Sequence, residues 1–212
     1  MKKLLGFALA VTLCISIHIE AKASYYPDVP LEHDYAEAIN LLSERGVVGG
    51  YHDGTFRPDE SVTRGQAAAF LANALELNLY HSEINPFVDL PDDHPFAPHA
   101  TALYTNGIMV GHHSRTTFRP QDQLTSAQLA SVLVRSFRLD EEENALENVR
   151  NATHLDNIRT LSERSFEISI PSNQVTRAEL AGAIVYFMED EREWTFCAKL
   201  ACRTMNDGGR EK

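Results

Sequence analysis

Two arginines occupy the same place in a repeated phrase. Arg64 lies in "VTRGQ" at 62–66 and Arg177 in "VTRAE" at 175–179, each directly after a threonine. A related phrase, "LTSAQ" at 124–128, has Ser126 instead. Thr-x-x-Gln/Glu is a capping box, in which the hydroxyl and the side chain three residues on satisfy each other's backbone N–H groups. Thr63, Thr125 and Thr176 therefore predict three helix starts with no ligand needed. The arginines are not explained this way. At the first helical position the helix end is already partly positive, so a cation costs roughly 0.3–1 kcal/mol. A bound carboxylate would offset that, held by helix-start N–H groups and a bidentate guanidinium. An ion pair with a neighbouring Asp or Glu would do so too, and residues alone leave both readings open.

A second candidate is the loop "GGYHDGTF" at 49–56. Gly49 and Gly50 precede Tyr51, and Asp53-Gly54 is a turn signal. Such a loop either brings backbone against a ligand or simply connects two helices. It is no calcium loop, because with Gly54 at the glycine position Gly49 and Tyr51 fall where carboxylates are needed. Phe56 and Pro58 recur as Phe118 and Pro120, which reads as a buried ring and a rigid turn. His112-His113 lacks further ligands at metal spacing. There is no G-x-S-x-G, no H-E-x-x-H, no P-loop and no assignable pair of catalytic carboxylates. The expectation is a protein that is not an enzyme and uses no cofactor.

The elements that carry these residues repeat. Openers stand at 26–29 ("YPDV"), 87–90 ("FVDL") and 146–149 ("LENV"). A short helix follows each, in "YAEAINLLSERG", "FAPHATALYTNG" and "HLDNIRTLSERS". Tyr35, Ile39 and Leu42 share one face of the first, and Gly46 and Gly107 are C-terminal stops. After each capping Thr the offsets +4, +7, +8, +11 and +12 form one stripe, apolar except at Ser136. No single unit could bury such a face alone, so three helix-loop-helix units must share a core. The third is the most altered: from "LSER" to the capping Thr it is six residues shorter than the first.

The N-terminus reads differently. Lys2 and Lys3 precede an apolar run, and "AKA" at 21–23 is a small-x-small cleavage signal. Residues 1–23 are read as a secretory signal peptide; the run is short for a membrane anchor. Cleavage removes three lysines and one glutamate and takes the net charge from −11 to −13. That balance argues against nucleic acid or an anionic bilayer as partner. No later run could span a membrane. Cleavage also removes Cys14, leaving Cys197 and Cys202, whose isolation in an exported chain predicts a disulfide.

The pattern resembles the S-layer homology (SLH) domain. The residues that carry the likeness are Tyr26–Val29 with "AINLLSERGVVGGYHDGTFRPDESVTRGQ" at 38–66, Phe87–Leu90 with "NGIMVGHHSRTTFRPQDQLTSAQ" at 106–128, and "VTRAE". The repeats are placed at 24–82, 83–140 and 141–190, the last degenerate, with a tail at 191–212. The resemblance implies an all-α, three-pronged spindle with pseudo-threefold symmetry. It implies non-covalent attachment to secondary cell-wall polysaccharide, often pyruvylated, at the surface of Gram-positive envelopes. It makes Arg64 and Arg177 carboxylate-binding positions, with Gly49, Gly50 and Tyr51 beside them and Ser126 marking a repeat that binds weakly or not at all. The arginine sharing a repeat with the glycine loop, Arg64, is the preferred site. The alternative is a scaffold for surface-protein assembly, with the tail recruiting another protein or a second copy. Exported protein is expected to begin at Ser24 by intact mass and to resist thiol labelling until reduced; a retained Met1–Ala23 or two free thiols would refute the respective claim.

Overall fold

The computed structural model describes residues 24–79, 85–112, 116–139, 153–164, 166 and 174–189. The signal segment, His113, Cys197 and Cys202 lie outside the described residues. Among the described residues there are six helices: α1 Ala36–Glu44, α2 Arg64–Ala74, α3 Ala97–Thr105, α4 Ser126–Ser136, α5 His154–Glu163 and α6 177–189. Among the described residues there are isolated β-bridges but no strand, so the fold is all-α as expected. No described helix is long and apolar enough to cross a membrane.

Local chemistry sets the helix limits. α1 and α3 stop at Gly46 (φ +68°) and Gly107 (φ +72°), whose left-handed backbone suits glycine. α2 and α4 start with complete capping boxes at Thr63/Gln66 and Thr125/Gln128. At α6 the Thr176 N–H donates to Glu179 Oε2 (2.7 Å) and the Glu179 N–H to Thr176 Oγ1 (3.1 Å). A fourth box, Thr153/Asp156 on α5, departs from the sequence pattern because its partner is Asp rather than Gln or Glu.

The units meet through three backbone hydrogen bonds that close on themselves. Val62 N–H donates to the Val175 carbonyl (2.8 Å), Val175 N–H to Leu124 (2.9 Å) and Leu124 N–H to Val62 (3.0 Å). These residues sit just before the three capping threonines, so the ring fixes where α2, α4 and α6 begin. The predicted apolar stripes then face one core. Leu71, Leu133 and Ile184 are completely buried, and Phe56, Phe118 and Phe187 are among its largest members. Fully burying such a side chain is worth about 1.5–3 kcal/mol.

Each first helix packs on the second helix of the preceding unit. Phe96, at the start of α3, covers Gly65 of α2. Asn157 of α5 donates to Ser131 of α4 (2.9 Å). Tyr35, at the start of α1, covers Gly182 of α6, so the last unit closes onto the first. The loop between helices is buckled by the opener aspartate. Asp28 accepts from Phe56 N–H (2.8 Å) and Arg57 N–H (2.6 Å), and Asp89 accepts from Phe118 and Arg119 N–H (2.7 Å each). Arg57 and Arg119 are thereby held left-handed (φ 57° and 59°), a conformation costing an L-residue roughly 1–2 kcal/mol.

A Cβ at Gly65 would sit 2.3 Å from the Phe96 ring. Gly65→Ala is therefore expected to cost about 1–3 kcal/mol by overpacking. In a denaturant titration Phe96→Leu should recover part of that loss in the double variant; additive losses would show that α3 does not lean on α2.

Candidate functional site

The structure pairs the arginines and loops across units. Arg177, from α6, reaches the first unit's loop. Its Nε donates to the Phe56 carbonyl (2.7 Å) and its Nη2 to the Gly49 carbonyl (2.9 Å). Arg64, from α2, reaches the second unit's loop in the same manner, with Nε on Phe118 (2.9 Å) and Nη2 on Val110 (3.3 Å). The expectation that Arg64 shares a site with the glycine loop is thus corrected. Gly49, Gly50 and Tyr51 gather around Arg177, because a helix start faces the neighbouring loop rather than its own. Ser126, at the matching position of α4, is buried and brings no guanidinium.

Both arginines are buried: Arg64 is only 5% exposed and Arg177 3%. Neither is in an ion pair with a carboxylate among the described residues. The charge rests instead on carbonyl dipoles and ring faces. The Arg177 guanidinium carbon lies 4.5 Å from the Phe56 ring centroid, 4.9 Å from Tyr51 and 5.1 Å from Phe70. Such contacts are worth about 0.5–2 kcal/mol each when desolvated. Burial pushes both guanidinium pKa values below the ordinary arginine value.

The helix-start N–H groups are already occupied. Arg177 and Ala178 N–H donate to the carbonyls of Glu60 (2.9 Å) and Pro58 (3.0 Å), and Arg64 and Gly65 N–H to Asp122 (2.8 Å) and Pro120 (2.9 Å). With the next N–H taken by the capping threonine, the expected helix-end contribution to an anion site is absent. What remains is the guanidinium. Its Nη1 finds no acceptor among the described residues in either arginine, and neither atom is sealed from solvent.

The surroundings of Arg177 are built to hold it. Tyr51 is half-buried, and its hydroxyl accepts from Gln66 Nε2 (3.0 Å). Arg57 lies over the same ring at 3.9 Å. It is tied to Asp53 (3.0 Å) and Glu60 (3.5 Å). The Asp53 carboxyl is held well below the usual carboxylate range, first by the Thr55 hydroxyl, then by the Thr55 N–H and Arg57. Gln66, Phe70 and Arg57 were not read as site residues; the repeated F-R-P phrase was the available signal for Arg57. Around Arg64, Val110 and His112 stand where Gly49 and Tyr51 stand around Arg177. Among the described residues no cluster of His, Cys, Asp and Glu could hold a metal.

Two stretches of the chain match a known protein family. Residues 25–68 and 86–130 match the family model of the S-layer homology domain. The chain is 30% identical over 126 residues, 59% of its length, to the S-layer protein sap of Bacillus anthracis. It is 30% identical over 176 residues, 82% of its length, to the surface-layer 125 kDa protein of Lysinibacillus sphaericus. It is 32% identical over 115 residues, 53% of its length, to a cellulosome-anchoring protein of Acetivibrio thermocellus. These matches span 15%, 14% and 26% of the respective relatives.

The two glycines have different roles, which substitution separates. A Cβ at Gly50 would stand 2.5 Å from the Tyr26 ring and 2.6 Å from the Thr55 carbonyl oxygen, whereas one at Gly49 meets nothing within 4 Å. In thermal melts Gly50→Ala is expected to lose about 1–3 kcal/mol. Gly49→Ala should stay level or gain a few tenths. The reverse order would show that Gly50 does not sit against Tyr26.

Proposed function

We propose, from the S-layer homology repeats at 25–68 and 86–130 as premise, that the protein attaches to the bacterial cell wall by binding an anionic wall polysaccharide. The principal site is the cleft where Arg177 meets Gly49, Gly50 and Tyr51. The observation that carries this reading is the buried Arg177 guanidinium with an unpaired Nη1 and no carboxylate partner among the described residues. A buried cation without a counter-ion is costly to hold, which makes its position a candidate functional site. A carboxylate on the polymer, as in a pyruvate ketal, would accept from Nη1 and supply the missing charge. The bare Gly49 edge lets the polymer approach the backbone.

The arrangement ranks the three positions. Arg64, bonded to the Phe118 and Val110 carbonyls, forms a second site; Ser126, without a guanidinium, forms none. The printed names of the relatives, surface-layer and cellulosome-anchoring proteins, support a place at the cell surface. The absence of a guanidinium at Ser126 also favours, as a second reading, a scaffold whose third face serves protein assembly.

Sedimentation with wall sacculi, intact or stripped of secondary polymer, separates the two. Wild-type protein should pellet only with intact walls. Arg177→Gln, compared well below its melting temperature, should lose about 1.5–3 kcal/mol of affinity, roughly tenfold to a hundredfold. Arg64→Gln should lose less. Because the chain is acidic throughout and contact is short-range, added salt should weaken binding only modestly. Pelleting that ignores the polymer, or an Arg177 variant that binds at full strength, would overturn the polysaccharide reading.

A further inference from the structure

A cavity lies on a different face, between α1 and α6. It holds about 630 Å³, within the range of small-ligand sites. Its walls carry four carboxylates, Asp34, Glu37, Glu179 and Glu189, and three aromatic rings, Tyr35, Phe166 and Tyr186. Tyr186 is 40% exposed there although its ring packs on Phe166 and Phe187. The buried Ser126 also lines it, so the cavity opens at the position where the other two units place an arginine. Its polarity is the reverse of theirs: an acidic rim around apolar and aromatic walls calls for a cationic, apolar occupant.

One segment of this chain has that chemistry and starts at the cavity's edge. Glu189, which lines the cavity, is the last described residue of α6. Beyond it, residues 194–205 read "WTFCAKLACRTM". They contain Trp194, Phe196, Leu200 and Met205, two cations at Lys199 and Arg203, and no acid. The step from Glu189 to Trp194 covers up to about 17 Å of extended chain, enough to turn back over a cavity one helix pair wide.

We infer that the cavity between α1 and α6 is the docking site of the chain's own segment 194–205. Trp194 and Phe196 fill the aromatic part, and Lys199 and Arg203 meet the carboxylates of Asp34, Glu37, Glu179 and Glu189.

Trp194 is the sole tryptophan, so fluorescence of the full chain reports the segment directly. The expected result is a blue-shifted emission with weak acrylamide quenching, independent of protein concentration. Asp34→Lys with Glu37→Lys, both at exposed positions, should shift the emission to the red and raise the quenching constant while helicity by circular dichroism stays unchanged. Lys199→Glu with Arg203→Glu should do the same in the wild-type background and restore burial when combined with the two lysine substitutions. An exposed Trp194 in the wild type would overturn the inference. So would a buried Trp194 indifferent to both charge reversals. Burial that disappears on dilution would assign the cavity to a second copy instead, and would equally overturn docking within one chain.

Discussion

Three backbone hydrogen bonds, running from Val62 to Val175, from Val175 to Leu124 and from Leu124 to Val62, set the frame for the rest of the molecule. Each middle residue gives to one neighbour and takes from the other, so no unit completes its pairing alone. The capping threonine follows each ring residue immediately, and the first helical residue follows that. The ring therefore dictates which loop each helix start meets. Loop carbonyls satisfy the helix-start N–H groups, and the first-position arginines point into the same loops. An anion brought to these helix ends finds the backbone donors spent and only guanidinium nitrogens on offer.

Much of this was legible in the sequence because it is local. The capping boxes, the glycine stops and the apolar stripes are written in spacings of three and four residues, and those spacings measure the geometry of a single helix. The partner of each arginine was not legible. Arg64 lies fourteen residues after Gly50 along the chain, yet Arg177 is the one that touches the Gly49 carbonyl. Repetition says that each unit resembles the next; it does not say whether a unit closes on itself or on its neighbour. Burial of the arginines was missed for a related reason. A charge at a helix start reads as a surface group until other segments bring rings and carbonyls around it, three rings and two carbonyls at Arg177 and one ring and two carbonyls at Arg64.

The left-handed residues show the limit of composition. Arg57, Glu76, Arg119 and Arg138 hold positive φ without being glycine. At Arg57 and Arg119 the compensation is visible as an aspartate taking two successive N–H groups. Nothing in the residue type announces this. The aspartate lies nearly thirty positions upstream, in an opener that reads as a short turn of its own. The opener and the F-R-P phrase are therefore one device in two pieces, and a change in either releases the loop that shapes the cleft.

The seam between Tyr35 and Gly182 has a temporal side. A chain made from its N-terminus produces α1 first and α6 last, with more than a hundred residues between them. Until α6 exists, the face of α1 carrying Ile39 and Leu42 lacks the helix on which it packs, and the ring lacks one of its three members. Contacts between distant parts of a chain slow folding, because a long loop must be ordered before they repay it. A chain stopped after two units is thus an open structure with an apolar flank, prone to meet another like itself. The same geometry has a converse once synthesis is complete. With its ends held against each other, the ring would keep its parts together after a single cut in a connecting loop, as a closed clasp does when one link is severed.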